Sequence, residues 1–265
     1  MDIYFLGGGN MAEAIAGGLV KQDGYRVCIA DRSIEKRERL ARELGVRVSE
    51  KLPALNAEDV LVLAVKPQDM QAACADVQTN GALVLSVAAG LGINTLSRCL
   101  GGTRRIVRVM PNTPAGVGLG VSGMFAGEGA GEADKRLAQN VMAAVGETVW
   151  LPSEAQMHAI TAVSGSGPAY VFYLMNALQT AAVQQGFDEA TARRLSLATF
   201  KGAAALAELS GEDFSILQQN VTSKGGTTAA AIEAFNAHRL PEAVAAGVEA
   251  CAARSREIAQ QFKAV

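Results

Sequence analysis

As far as Leu151, short runs that are apolar on both faces alternate with segments of helical period. Residues 2–6 form the first such run, followed by Gly7-Gly8-Gly9-Asn10-Met11-Ala12 and a helical pattern through Val20. Gly24-Tyr25 breaks the chain, and residues 26–30 read as a second strand ending in Asp31-Arg32-Ser33. Residues 34–44 alternate charged and apolar positions at helical spacing, with Gly45 as the C-terminal cap. A short strand is expected over 46–48. Residues 59–65 are β-branched and apolar on both faces, the pattern of a central parallel strand, and Lys66-Pro67 ends them. A second such strand at 82–87 leads into Ala88-Ala89-Gly90, and a helix over 94–100 closes on Gly101-Gly102. The strand at 105–110 stops at Pro111-Asn112-Thr113-Pro114. Edge strands at 118–125 and 148–151, with a helix over 133–145 between them, complete a parallel, right-handed α/β sheet.

After Pro152 the pattern changes. Alanine is abundant, no stretch reads as a strand, and helices are predicted over 153–162, 168–185, 188–209, 214–220, 228–237 and 241–262. Gly186, Gly211 and Pro241 punctuate them. The fold class is therefore α/β: a Rossmann-like parallel-sheet domain over residues 1–151, then an all-α domain over 152–265. Residues 155–185 contain no Asp, Glu, Lys or Arg, yet Ser164-Gly165-Ser166-Gly167-Pro168 interrupts them, so no apolar run reaches a membrane span. A helix apolar on most faces is buried, and here a subunit interface is expected to bury it.

The 265 residues are 49% apolar and 19% charged with a net charge of −2, the profile of a folded chain with no electrostatic footprint for nucleic acid or anionic membrane. Cys28, Cys74, Cys99 and Cys251 lie far apart with no metal-ligand spacing, and no metal is expected. The opening residues lack the basic region of a signal peptide, so a cytoplasmic location is expected.

Gly7, Gly9 and Ala12 make a G-x-G-x-x-A pattern between a strand and a helix, the context a dinucleotide fingerprint requires. The first glycine allows the tight turn, the second lets amides approach a pyrophosphate, and the alanine keeps helix and strand close. Asp31 ends the second strand at the spacing of a ribose-binding acid, which suits NADH. Arg32 and Ser33, with Arg37, suit a 2′-phosphate instead, and NADPH is favoured. Residues 64–67, 88–90 and 110–113 follow other strands at their carboxyl ends, where ligands of doubly wound sheets bind.

Near the far end, Gln219-Asn220-Val221-Thr222-Ser223-Lys224-Gly225-Gly226-Thr227-Thr228 precedes an alanine-rich helical run. From the residues alone this is either a glycine C-cap followed by a threonine N-cap, or a helix N-terminus that grips a small carboxylate.

Four segments together resemble the pyrroline-5-carboxylate reductase family: Gly7-Gly8-Gly9-Asn10-Met11, Ala64-Val65-Lys66-Pro67, Ser164-Gly165-Ser166-Gly167-Pro168-Ala169-Tyr170, and residues 220–230. The resemblance implies reduction of 1-pyrroline-5-carboxylate to L-proline, the last step of proline biosynthesis, with NADPH or alternatively NADH. It implies a homodimer built through the helical domain, and larger rings of dimers. It assigns Leu6, Gly7, Gly8, Gly9, Asn10, Met11, Ala64, Val65, Lys66, Pro67, Ala88, Ala89, Gly90 and Asn220 to the cofactor. Ser223, Gly226, Thr227, Thr228 and Glu154 go to the substrate, with Thr228 facing the imine nitrogen. Lys224 and Thr227 depart from many members but leave the G-G-x-T frame intact. A β-hydroxyacid dehydrogenase shares the two-domain plan, but it needs a lysine on the long second-domain helix. No lysine occurs from Pro152 to Phe200.

Overall fold

In a computed structural model, residues 1–262 are described. The first half runs β1 (Asp2–Leu6), α1 (Asn10–Leu19), β2 (Arg26–Ala30), α2 (Ile34–Leu44), β3 (Arg47–Ser49), β4 (Val60–Leu63), α3 (Met70–Cys74), β5 (Leu83–Ser86), α4 (Ile93–Cys99), β6 (Ile106–Met110), β7 (Gly120–Ala126), α5 (Glu132–Ala143) and β8 (Gly146–Trp150). The strands form one sheet in the order β3-β2-β1-β4-β5-β6-β7-β8. The six from β3 to β6 are parallel.

Alternation along the strands divides the core into two layers. Ile3, Phe5, Val60, Val62, Leu83 and Leu85 face Ile15 and Leu19 of α1, Leu40 of α2 and Val141 of α5. Tyr4, Leu61, Leu63 and Val84 face Met70 and Cys74 of α3 and Leu96 of α4. Burying one such aliphatic side chain fully is worth roughly 1.5–3 kcal/mol, so two covered faces hold the sheet rigid beneath its loops. Helix ends follow the expected chemistry: Ser33 Oγ accepts from Lys36 N, and Gly45 closes α2 at φ +68.

Three local expectations are corrected. β7 runs antiparallel to β6, and β8 is parallel to β7, so the sheet is not parallel throughout. The β6–β7 connection is a short 3₁₀ turn over Thr113–Val117, and a parallel crossover needs about a dozen residues or more. Pro67 does not merely end β4. It opens a 3₁₀ turn (Pro67–Asp69) that continues into α3, an element too short to show a helical period. The helix expected over 153–162 is α6 (Gln156–Ile160) followed by a π-helical turn, Thr161–Gly165. Thr161 Oγ1 donates to the Met157 carbonyl at 2.6 Å and Ser164 Oγ to the Ile160 carbonyl, which loosens the helical ladder there.

The remaining elements are α7 (Gly167–Gln184), α8 (Glu189–Ser210), α9 (Phe214–Asn220), α10 (Thr227–Ala237) and α11 (Leu240–Gln261). By contacts the chain forms two compact units, Met1–Ser166 with residues from Ala250 onward, and Gly167–Glu249. Helix α11 thus begins in the second unit and ends in the first. Within the second unit α7 packs on α8, and Ser196 Oγ donates to the Met175 carbonyl at 2.7 Å. Much of its apolar surface is bare: Phe172 is 63% exposed, Leu209 86% and Phe214 80%. Among the described residues, no helix is long and apolar enough to cross a membrane.

Candidate active site

The glycine loop between β1 and α1 is fixed by its neighbours on both sides. Gly7 N donates to the Ala30 carbonyl, and Gly7 has φ +100. A Cβ there would lie 2.9 Å from both the Ala64 carbonyl and Val65 Cγ1, so only glycine lets the β1 and β4 loops meet. Gly9 is the N-cap of α1 with no side-chain cap, and nothing lies within 4 Å of where its Cβ would stand. The first amides of α1 therefore have no intrahelical acceptor and no side-chain cap. This cradle fits a dinucleotide pyrophosphate, with Gly7, Gly8, Gly9, Asn10 and Met11 around it.

Asp31, at the end of β2, braces this loop. Its Oδ2 accepts from Gly8 N at 2.8 Å, its Oδ1 from Ser33 N at 2.9 Å, and Lys36 Nζ stands 3.5 Å from Oδ2. Burial works to raise the Asp31 carboxyl, but the two amides and the Lys36 ammonium more than offset it and hold the group below its ordinary range. The carboxylate is turned back onto backbone, so it does not crowd a phosphate beyond the strand end. Arg37 is committed to the Asp31 and Arg32 carbonyls. The Arg32 side chain is exposed, and among the described residues no partner holds it.

Ala64, Val65, Lys66 and Pro67 follow β4, with Lys66 exposed in extended conformation at the start of the 3₁₀ turn. Ala88, Ala89 and Gly90 follow β5. Leu6 through Met11, Asp31, Arg32 and these two loops thus share the carboxyl edge of β1, β2, β4 and β5 in one compact unit.

Glu154 lies in the same unit. Its Oε1 accepts from Arg108 Nη1 at 2.8 Å and from Ile93 N, the first amide of α4, at 2.7 Å. The Arg108 side chain, in the middle of β6, is only 8% exposed. Nearby, His158 Nδ1 pairs with Ser255 Oγ at 2.9 Å, and Ser166 Oγ with Cys251 Sγ at 3.2 Å. Ser166, just before α7, thus turns its hydroxyl to α11.

Asn220, Ser223, Gly226, Thr227 and Thr228 belong to the other unit. Gly226, not a threonine, is the N-cap of α10, with φ −83, ψ 174 and no side-chain cap, so Thr227 and Thr228 are the first helical residues. Gly225 turns at φ +70, and Gly226 N donates to the Ser223 carbonyl. A Cβ on Gly226 would come within 2.5 Å of Ser223 Oγ, so the turn folds the serine hydroxyl over the helix entrance. The free amides of α10 and the hydroxyls of Ser223, Thr227 and Thr228 gather donors without any strong acid or base.

Two family models match the chain: pyrroline-5-carboxylate reductase dimerisation over residues 154–258, and NADP oxidoreductase, coenzyme F420-dependent, over residues 2–90. A pyrroline-5-carboxylate reductase of Haemophilus influenzae is 44% identical over 98% of both chains. The chain belongs to the pyrroline-5-carboxylate reductase family. The solved structure of the Coxiella burnetii member has a TM-score of 0.88 at 40% identity, covering 97% of each chain. That of Plasmodium falciparum, solved with NADP bound, has a TM-score of 0.84 at 26% identity over 98% of each.

In this reductase frame the oxidoreductase model spans the loops from Leu6 to Gly90, and the dimerisation model runs from Glu154 into α11. Arg108 falls outside both and was missed in the sequence. Its signal was there: an arginine inside the apolar strand Ile106-Val107-Arg108-Val109-Met110 demands a buried partner.

Proposed function

We propose that this chain reduces 1-pyrroline-5-carboxylate to L-proline, the last step of proline biosynthesis, using NADPH by preference and NADH as the alternative. The observation that carries it is the 44% identity over nearly the whole of both chains, joined to a glycine cradle open at Gly9. When bound, the reduced nicotinamide supplies a hydride to the imine carbon. Residues 6–11, 64–67 and 88–90, with Asn220, hold the dinucleotide, and Arg32 takes its 2′-phosphate. Lys66 places its ammonium at the end of β4, where it adds positive charge beside an anionic cofactor.

Ser223, Gly226, Thr227 and the α10 amides hold the substrate carboxylate. Thr228 Oγ bonds the ring nitrogen, which is protonated for hydride addition, and orients the imine carbon. A reaction of this kind runs on positioning and needs no triad. Residues 1–151 serve as the dinucleotide-binding domain and 152–265 as the dimerisation and substrate domain. The dimerisation model and the bare apolar residues of α7, α8 and α9 support a homodimer. A larger ring of such dimers and a cytoplasmic location complete the proposal.

The test follows NADPH absorbance on adding 1-pyrroline-5-carboxylate, repeated with NADH. Turnover with proline as product is expected. Tight NADPH binding without oxidation would replace the reductase with a dinucleotide sensor.

A further inference from the structure

The loop after β5 is composed of Ala88, Ala89, Gly90, Leu91 and Gly92, none of which can hydrogen-bond through its side chain. The β5 ladder ends with Val87 N donating to the Leu63 carbonyl. Beyond it the chain makes a turn at Ala89 and Gly90, and the amide of Ile93 donates to Glu154 Oε1. Neighbours outside the loop bound that turn on both sides. On one side stands the end of α11: a Cβ on Gly90, which has φ +81, would lie 3.2 Å from Ile258 Cγ2 and 3.6 Å from Phe262 Cδ2. On the other stands Glu154, whose Oε1 would lie 3.3 Å from a Cβ on Gly92. Glu154 is in turn held by the buried Arg108 guanidinium.

We propose that Glu154, locked by Arg108, is a positioning residue that sets residues 88–92 for the dinucleotide, so that cofactor affinity rather than substrate binding depends on it. This rests on the assignment of Ala88, Ala89 and Gly90 to the cofactor made above. A rigid acceptor at Ile93 fixes the loop's downstream end, while the strand fixes its upstream end. Without it, five consecutive small or apolar residues would have to be ordered by the cofactor itself, and binding would weaken by that cost. The carboxylate suits the role because one oxygen accepts from both the guanidinium and the amide, so the buried arginine orients the acceptor.

The test uses full-length Glu154→Ala, the double variant Arg108→Met/Glu154→Gln, and Ala89→Glu on the exposed face of the loop. Readouts are NADPH titration, Michaelis constants for both substrates, and hydrogen exchange of the peptide covering residues 88–93. Glu154→Ala should weaken NADPH roughly tenfold, the equivalent of one charged hydrogen bond, raise exchange in that peptide, and leave the Michaelis constant for pyrroline-5-carboxylate within about twofold. The double variant removes both charges but keeps an acceptor oxygen for Ile93. It should recover most of the NADPH affinity lost in Glu154→Ala, which a general folding defect would not. Unchanged NADPH binding with a raised Michaelis constant for the imine would overturn the proposal and make Glu154 a substrate contact. If Ala89→Glu also leaves NADPH binding unchanged, the assignment of the loop to the cofactor fails; if only Glu154→Ala does, the positioning role fails.

Discussion

Replacing Asp31 by Asn isolates the brace beneath the glycine loop. The carboxylate accepts from two amides, Gly8 N and Ser33 N, one on each oxygen. An asparagine side chain offers only one acceptor oxygen, so its NH₂ must face one of those N–H groups. The loss is then one charge-assisted hydrogen bond plus a donor set against a donor. A hydrogen bond to a charged group is worth about 1.5–3 kcal/mol, and the Asp31 side chain is 12% exposed, which places the cost near ~2 kcal/mol. For a chain of this size that is roughly 4–8 °C in melting temperature. The pH dependence carries a second signature. The folded carboxyl titrates below its unfolded value of about 3.9, so its stabilisation is complete above roughly pH 4 and is lost as pH falls through the lowered folded value. The gap between wild type and Asp31→Asn should therefore be constant from neutral pH down to about pH 5 and narrow below pH 4. Thermal melts across that range, with NADPH titration at neutral pH, give the answer. A variant that matches wild type in melting temperature and NADPH affinity would refute the brace.

Three shorter expectations follow from the same residues. Thr228→Ala should lower kcat by about 10–1,000-fold through loss of a bond made to the reacting nitrogen, with NADPH affinity unchanged; wild-type turnover removes the residue from the mechanism. Arg32→Ala should raise the Michaelis constant for NADPH more than for NADH, and equal effects would sink the 2′-phosphate assignment. Burial, with the neighbouring Cys99 adding to it, pushes the Cys74 thiol up to about 12, so native Cys74 should resist iodoacetamide at mildly alkaline pH. Mass spectrometry showing Cys74 alkylated as fast as Cys251 would contradict that.

The β–α alternation, the glycine loop and the change to helices after the sheet were legible because each rests on local pattern or on a glycine that sterics require. The six parallel strands, and α2 with its Gly45 end, lie where the apolar runs and the glycine cap placed them; the Ser33 cap at its start was not read. What could not be read depended on partners distant in the chain. The direction of β7 turns on how little chain joins it to β6. The π turn after α6 arises from two hydroxyls bonding back to carbonyls, a choice that helical periodicity does not encode. The sequence pattern led to Asp31 as a cofactor-side acid, whereas its role as a loop brace was not legible, since its partners Gly8 and Ser33 are backbone amides with no sequence signature. Glu154 was singled out, yet its pairing with Arg108 spans a separation that only the fold reveals.

The return of α11 to the first compact unit sets an order on synthesis. Residues through Ser166 leave the ribosome before the segment whose Ile258 and Phe262 back the Gly90 turn. At about 5–20 residues per second, that segment follows by roughly 5–20 s. During this interval the nascent sheet carries its dinucleotide cradle at Gly7–Gly9 but not the support for the loop after β5. On the proposed assignment of that loop to the cofactor, full cofactor competence is acquired only when α11 emerges, and a nascent chain arrested in the second unit would hold a half-built cofactor site.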